Sequence, residues 1–217
     1  IVTDTEVFKD SKGRICLFVV AKWQAPRIYT WVNRELKDIT SHFFDNSKMN
    51  GLWNTVKVED LNLDGRLDFV LGNRGTNSQL KASESEPLQL FYGDFDENDI
   101  VDPILSFTMN GEKYPYVTKA ELGMQIPTLN SSFKTFEEFS DITTTSLFDN
   151  YLSDPEVLNT YTLKTICLIS NSSHYELLEL PKEVQYAPIY SIEILRLNPK
   201  SDSPSHLLFL GNNSHTK

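Results

Sequence analysis

The sequence predicts an all-β fold, and three observations support this class. Aromatic residues are abundant, with 13 Phe, 9 Tyr and 3 Trp in 217 residues, and such side chains suit pleated, half-buried strands. Short apolar runs alternate with clusters of turn residues, as in antiparallel β proteins. A carboxylate-rich loop followed by an apolar strand occurs twice, which indicates a repeated β unit.

Six further short runs have strand character. They are Ile28–Val32, Val56–Val58, Leu88–Tyr92, Tyr161–Ile169, His174–Leu180 and Tyr190–Leu197. Corresponding units recur at irregular intervals near the size of a propeller blade. Such strands separated by turn residues are typical of all-β sandwiches and of β-propellers.

One stretch of the chain predicts helices instead of strands. Thr118-Lys-Ala-Glu121 and Thr135-Phe-Glu-Glu138 are capping boxes, in which Thr and Glu reciprocally satisfy free amides at a helix start. They predict short helices at Lys119–Ile126 and Phe136–Ile142, and a third turn is expected around Ser146–Phe148. We expect the apolar residues of this stretch to pack on the neighbouring blades instead of forming a separate domain.

Acidic residues are concentrated in one part of the chain. The net charge is −10, from 30 acidic and 20 basic residues. Glu59–Asp102 alone contains 11 acidic and 3 basic residues, a net charge of −8. The acidic balance argues against a nucleic-acid partner, which needs basic patches, and against docking on anionic membranes. Its concentration favours a cation site over a uniformly solvated surface.

The first acidic loop has the spacing of a calcium-binding turn. Its oxygen-bearing side chains at positions 1, 3, 5 and 9 are Asp60, Asn62, Asp64 and Asp68. Arg66 at position 7 offers its backbone carbonyl, and Gly65 at position 6 permits a left-handed bend. Leu71 stands at position 12, where an EF-hand has a bidentate Glu. The loop is therefore predicted to open onto a strand, and an EF-hand is not expected.

The second acidic loop repeats this spacing. Positions 1, 3, 5 and 9 are Asp94, Asp96, Asn98 and Asp102, and Ile100 stands at position 7. Asp99 replaces the glycine at position 6, and Asp tolerates the left-handed conformation at modest cost. Two solvated Asx-turn loops are the alternative, but they do not explain the shared spacing. The sequence predicts about two structural Ca²⁺ ions; Mg²⁺ is less favoured because it prefers octahedral sites with several waters.

Four segments are predicted along the chain. They are a degenerate blade at 1–50, calcium-loop blades at 51–108, a helical inter-blade insertion at 109–155, and a degenerate blade with the start of the next at 156–217. The outer segments keep strands but lack the acidic spacing, so metal is expected in two loops only.

Several motifs resemble the FG-GAP/VCBS repeat family, including bacterial surface proteins related to ASPIC/UnbV. The matching motifs are Ala21-Lys-Trp23, Gly51-Leu-Trp-Asn-Thr55, Gly72-Asn-Arg-Gly-Thr-Asn77, Lys81-Ala-Ser83, Glu86-Pro-Leu-Gln-Leu90, Gly111-Glu-Lys-Tyr-Pro115 and Ala187-Pro-Ile-Tyr190. The resemblance covers most of the chain and is densest from Gly51 to Phe148. Such proteins are similar to integrin-type β-propellers, in which calcium loops hold blades together.

The resemblance implies part of a β-propeller with about three to four blades, calcium ligation by both acidic loops, and an extracellular or cell-surface location. The chain does not begin with Met, and we expect a mature chain or a fragment of a larger propeller.

Three functions are considered from the sequence. The favoured one is a binding and assembly module for an extracellular protein or glycan, because propeller loops carry recognition. Trp23, Trp31 and Trp53 are candidates for stacking on ligands, although core packing is the more favoured role for each. A polysaccharide hydrolase or lyase is less favoured, because the best carboxylate clusters are assigned to metal and no catalytic motif is present. The third is a structural segment whose partner is the remainder of its own chain.

The two cysteines and the hydropathy pattern add two expectations. Cys16 and Cys167 lie in apolar runs outside any CxxC pair, so buried free thiols are expected, with a long-range disulfide left open. No run reaches the roughly 18 apolar residues of a membrane helix, so no span is expected in this segment.

Overall fold

The computed structural model describes residues 1–152, 155–171, 174–196 and 206–212. The strands in chain order are β1 (Val2–Lys9), β2 (Ile15–Gln24), β3 (Arg27–Val32), β4 (Glu35–Asp38), β5 (Gly51–Leu52), β6 (Thr55–Glu59), β7 (Asp68–Gly72), β8 (Leu88–Gly93), β9 (Asp102–Met109), β10 (Glu112–Pro115), β11 (Glu156–Thr160), β12 (Ile166–Ser170), β13 (Tyr175–Glu179), β14 (Ile189–Leu195) and β15 (His206–Gly211). The helices are α1 (Lys119–Gln125), α2 (Phe136–Ser140) and α3 (Thr144–Tyr151). The protein is mainly β, as predicted.

The chain forms two compact units. The first combines Ile1–Ser78 with the described residues from Thr160 onward, and the second is Gln79–Asn159. In sequence, the second unit stands between β7 and β12 of the first. The four segments expected from the sequence are blades and an insertion, not compact units, and that division stays a prediction. Parts of the last segment, at 172–173, 197–205 and 213–217, lie outside the described residues.

The first unit contains three sheets. One has the order β1-β2-β3-β4 with β5 beside β2, one has the order β13-β12-β7-β6, and β14 pairs with β15. All the strand pairs with a recorded register in these sheets are antiparallel. None of the sheets closes into a barrel within the described residues.

The core of the first unit is rich in aromatic side chains. Alternation along β2 buries Cys16, Phe18 and Val20, because successive residues of a strand point to opposite faces. Phe18 meets Phe69 of β7 with ring centroids 4.8 Å apart, and Phe69 stacks on Tyr175 at 4.9 Å. These contacts join the β1–β4 sheet to the sheet that carries the first acidic loop.

The second unit has one sheet, in the order β10-β9-β8-β11, and the three α-helices. Both predicted capping boxes are present, at Thr118 with Glu121 and at Thr135 with Glu138. The buried residues Ile104, Leu122, Ile126, Leu129, Phe133 and Leu147 form the core of this unit. The helices therefore pack on β8 and β9, the strands that flank the second acidic loop.

Several element boundaries differ from the sequence prediction; α1 and α2, for example, end at Gln125 and Ser140 instead of Ile126 and Ile142. The run Tyr161–Ile169 was expected to be one strand, but β11 ends at Thr160 and β12 begins at Ile166. Residues between them form only an isolated bridge, Gly51 with Thr162. The turn predicted at Ser146–Phe148 is part of a longer helix, α3. Its N-cap residue is Thr143, whose side chain accepts a hydrogen bond from the Ser146 amide.

Candidate metal centre

Both acidic loops connect the two strands of a β-hairpin in the same register. The first loop, 60–68, follows β6, where Glu59 pairs with Asp68 of β7. The second loop, 94–102, follows β8, where Gly93 pairs with Asp102 of β9. In each loop the ninth residue is thus the first residue of the returning strand.

The first carboxylate of each loop accepts two equivalent backbone hydrogen bonds. Asp60 accepts from the amides of Asp64 (3.1 Å) and Gly65 (2.8 Å). Asp94 accepts from the amides of Asn98 (3.0 Å) and Asp99 (2.8 Å). These bonds fold the loop back on its first residue, so that alternate side chains converge on one side.

The last carboxylate of each loop closes it in an equivalent way. Oδ2 of Asp68 accepts from the Leu61 amide at 2.9 Å. Oδ2 of Asp102 accepts from the Phe95 amide at 3.2 Å. The two loops therefore share their hydrogen bonds at both ends.

Left-handed residues occur at the same two positions of each loop. They are Leu63 (φ 63°) and Gly65 (φ 84°) in the first loop and Glu97 (φ 59°) and Asp99 (φ 63°) in the second. The left-handed bend predicted at position 6 is therefore confirmed in both loops, at Gly65 and at Asp99. A non-glycine residue in this region carries a conformational cost.

Three carboxylates converge in the second loop. Ligand atoms of Asp94, Asp96 and Asp102 all lie within 4.8 Å of one another. Asp102 is only 3% exposed. The Oδ1 atom of Asp96 is buried and has no hydrogen-bond partner among the described residues. A buried carboxylate oxygen without a partner is costly, and hard oxygen ligands at this spacing suit Ca²⁺.

The first loop satisfies its third position internally. The Asn62 side chain accepts from the Asp64 amide at 3.1 Å and donates to Asp64 Oδ2 at 3.3 Å. Its three positions equivalent to the carboxylate cluster are Asp60, Asn62 and Asp68, so one amide replaces one carboxylate. The Arg66 amide also donates to Asp64 Oδ1, at 2.9 Å.

Asp68 is the most enclosed acid of the first loop. It is fully buried, and its Oδ1 accepts from the Ser170 amide of β12 at 2.7 Å. Burial raises the pKa of Asp68, and the nearby Asp64 and Asp60 carboxylates raise it further, while the hydrogen bonds from Ser170 and Leu61 act in the opposite direction. The Ser170 contact joins residues 102 positions apart, and no local sequence signal predicts it.

The predicted ligands fall into two groups of five. The first loop contributes Asp60, Asn62, Asp64, Arg66 and Asp68, and the second contributes Asp94, Asp96, Asn98, Ile100 and Asp102. Within the second group, the structure brings Asp94, Asp96 and Asp102 together. Ligation by the carbonyls of Arg66 and Ile100 stays a prediction.

The other candidates from the sequence have diverse environments. Trp53 is fully buried and donates to the Met49 carbonyl at 2.9 Å, so it belongs to the core. Trp31 is 63% exposed, and Trp23 is half-buried with a φ of 67°. Cys16 and Cys167 are free, buried thiols, and burial, followed by the Asp68 charge, raises the pKa of Cys167 to about 12.

Comparison with known proteins gives no relative for this chain: no family model, no curated protein and no solved structure matches it. In the part of the chain that the structure describes, none of the helices has the length and apolar character to cross a membrane.

Proposed function

We propose that this protein is a calcium-stabilised β scaffold of the extracellular space or cell surface, built from propeller blades, which binds a protein or a carbohydrate. The observation that carries the proposal is the equivalence of the two acidic loops. They share hairpin register, hydrogen bonds and left-handed positions. The second loop brings three carboxylates together, and one of them, Asp96, has a buried oxygen without a partner among the described residues. The three carboxylates repel one another, and a divalent cation bound between them would replace that repulsion with attraction to a shared ion.

Sheet order supports the propeller part of the proposal. The path β1-β2-β3-β4, with β5 beside β2, and the sheet β6-β7-β12-β13 each place four antiparallel strands side by side in chain order, which is the plan of a propeller blade. In this proposal β14 and β15 are the first strands of a further blade. The partner is an extracellular protein or glycan, or the remainder of a longer chain.

The ligand set is compatible with the location that the family resemblance implies. The loops have no bidentate Glu at position 12, and a calcium site with fewer charged ligands binds more weakly. Extracellular modules bind calcium with dissociation constants of about 10⁻⁴–10⁻³ M. Sites of this kind are therefore occupied at the calcium concentrations found outside cells.

A thermal melt in excess EDTA and then in excess calcium tests the metal assignment. At a calcium concentration of about 100 times Kd, each filled site adds about 2.7 kcal/mol to the free energy of unfolding. Asp64→Ala and Asp96→Ala should each reduce the rise in Tm. Glu84→Ala is the matched control, because Glu84 is an exposed acid of the same segment outside both loops. A folded chain whose Tm ignores calcium would refute the assignment.

A further inference from the structure

A cleft in the first unit has a lining that contrasts with the acidic chain. Its volume is about 210 Å³, and it is lined by Lys22, Trp23, Asn54, Arg74 and Tyr190, with one leucine and one proline. None of these residues is acidic, although the chain carries a net charge of −10. We call this site the Trp23 cleft. Its composition of two cations, two aromatic rings and one amide favours a ligand that is both anionic and ring-shaped.

Trp23 reaches the cleft through a β-bulge. Lys22 of β2 pairs with Leu52 and Gln24 pairs with Gly51, so Trp23 is the extra residue between two consecutive pairs. Its φ is 67°, a left-handed conformation that is rare for a bulky side chain. Bulges redirect side chains and are frequent beside functional sites, and strain of this kind persists only where the surrounding structure imposes it.

Arg74 supplies a cation without a carboxylate partner. Its Nε atom is buried and has no hydrogen-bond partner, and the ion pairs among the described residues do not include it. A buried donor without an acceptor is costly. A carboxylate satisfies such a guanidinium best, because its two oxygens match the planar fork of N–H groups.

The backbone around Arg74 is held firmly by Asn73. The side-chain oxygen of Asn73 accepts from the amides of Leu52 (3.1 Å) and Arg74 (2.8 Å), and its backbone carbonyl accepts from the Ile189 amide at 2.9 Å. Asn73 is fully buried. Its hydrogen bonds join the segments that contribute Leu52, Arg74 and Tyr190 to the cleft. The site is therefore organised before any ligand arrives, which lowers the entropic cost of binding.

We propose that the Trp23 cleft binds an acidic saccharide, with the Arg74 guanidinium on the sugar carboxylate and the rings of Trp23 and Tyr190 beside the pyranose. Asn54 carries both donors and an acceptor, which suits sugar hydroxyls. Lys22 adds a second positive charge at the same site. This inference names a ligand class for the scaffold proposed above, and it does not depend on the acidic loops or their metal.

Ligand-observed NMR on the full chain, kept in calcium, tests this inference with matched probes. The charged probe is methyl glucuronide, and the neutral one is methyl glucoside, which differs at the carboxylate. We expect at least tenfold weaker binding of the glucoside. Acetate measures how much a carboxylate alone contributes to binding, and N-acetylglutamate measures how much an acidic peptide-like group contributes. Equal affinity for glucuronide and glucoside, or for glucuronide and N-acetylglutamate, would overturn the proposal, as would no binding of the glucuronide.

Variants locate the binding in the cleft. Arg74→Gln removes the charge and should weaken glucuronide binding at least tenfold, whereas Lys37→Gln removes an equal charge from the exposed strand β4 and should leave it unchanged. Tyr190 is 56% exposed, so Tyr190→Ala should fold normally and still bind several-fold more weakly. If Arg74→Gln and Lys37→Gln behave alike while both are folded, the cleft is not the site.

Trp23→Gly gives a readout that a purely structural tryptophan would not. Glycine adopts a positive φ without strain, so this variant should lose glucuronide binding while its Tm stays equal or rises by about 2–4 °C. A marked fall in Tm would assign Trp23 to the core and contradict the proposal. The calcium-dependent rise in Tm should persist in this variant, so a failure here is distinguishable from a failure of the metal assignment.

Discussion

In the first loop the Asn62 amide bonds to Asp64 on both its oxygen and its nitrogen, whereas in the second loop Asp96 keeps a buried oxygen without a partner. The two loops are otherwise equivalent in the hydrogen bonds to their first residue, in register and in left-handed residues. One amide in place of one carboxylate thus separates a loop whose third position is satisfied internally from a loop whose third position keeps an unpartnered oxygen. Equal spacing in a sequence therefore does not imply equal hydrogen bonding of the oxygens in the loop.

The largest expected effect concerns the carboxylates that close the loops. Asp68 accepts hydrogen bonds from the Leu61 and Ser170 amides, and Asp102 accepts from the Phe95 amide. Since a buried donor left unsatisfied costs about 1–3 kcal/mol, Asp68→Ala in EDTA should lower the free energy of unfolding by about 2–4 kcal/mol. Asp102→Ala should lower it by about half as much.

Urea unfolding followed by circular dichroism measures both variants. In excess calcium the cost of both variants should grow, because each of them also loses a proposed metal ligand. Equal costs for the two variants in EDTA would show that the Ser170 contact contributes nothing, and would remove this difference between the loops.

A reciprocal exchange at the third position is expected to have the next largest effect. Asp96→Asn gives the second loop the amide of the first, and Asn62→Asp does the reverse. Two unit charges about 4 Å apart repel by about 1 kcal/mol in water, so Asp96→Asn should stabilise the metal-free protein by about that amount and Asn62→Asp should destabilise it.

The response to calcium should change in the opposite direction. The rise in Tm on adding calcium should shrink in Asp96→Asn and grow in Asn62→Asp, because carboxylates bind calcium more strongly than amides. Differential scanning calorimetry in EDTA and in calcium checks both. If both variants lower Tm equally under both conditions, the third position has no special role.

The smallest expected effect concerns the hairpin between β1 and β2, which lacks the acidic spacing. There Asp10 pairs with Arg14 at 2.7 Å and accepts from the Lys12 and Arg14 amides. Burial acts to raise the pKa of Asp10, but these hydrogen bonds and the Arg14 charge together lower it. A lowered pKa means that the contribution of Asp10 is present above its unfolded-state pKa of about 3.9 and is lost as pH falls through the folded-state value.

Asp10→Asn should therefore reduce stability at pH 7 by about 0.5 kcal/mol, because the Arg14 side chain of the pair is 36% exposed and water screens its charge, and should have almost no effect at pH 2. Urea midpoints of the variant and the wild type at both pH values measure the difference. Addition of calcium should not alter it. A difference that persists at pH 2 would mean that the charge of Asp10 is not the cause.

Local signals in the sequence were enough for the β class and for the helix starts. The capping boxes at Thr118 and Thr135 are present because each depends only on residues three positions apart. The left-handed Asp99 was also predictable, since the spacing of the loop requires a bend at that position. Each of these features is decided within one turn of the chain.

Features that depend on distant contacts were not predictable. The Ser170–Asp68 hydrogen bond joins strands separated by the whole second unit, and the bulge at Trp23 depends on the pairing of β2 with β5. The gap between β11 and β12 was missed because Leu163 is buried within a stretch that otherwise looks like one apolar strand. Such burial arises from tertiary packing, and the hydrophobic periodicity of the sequence does not reveal it.

Calorimetric titration of calcium into the EDTA-stripped and dialysed chain, beside Asp96→Asn, tests the central claim most directly. The account predicts binding of about two ions by the wild type, with one site weakened in Asp96→Asn and the other unchanged. No heat of binding by a folded chain, or an isotherm that Asp96→Asn leaves unaltered, would contradict it.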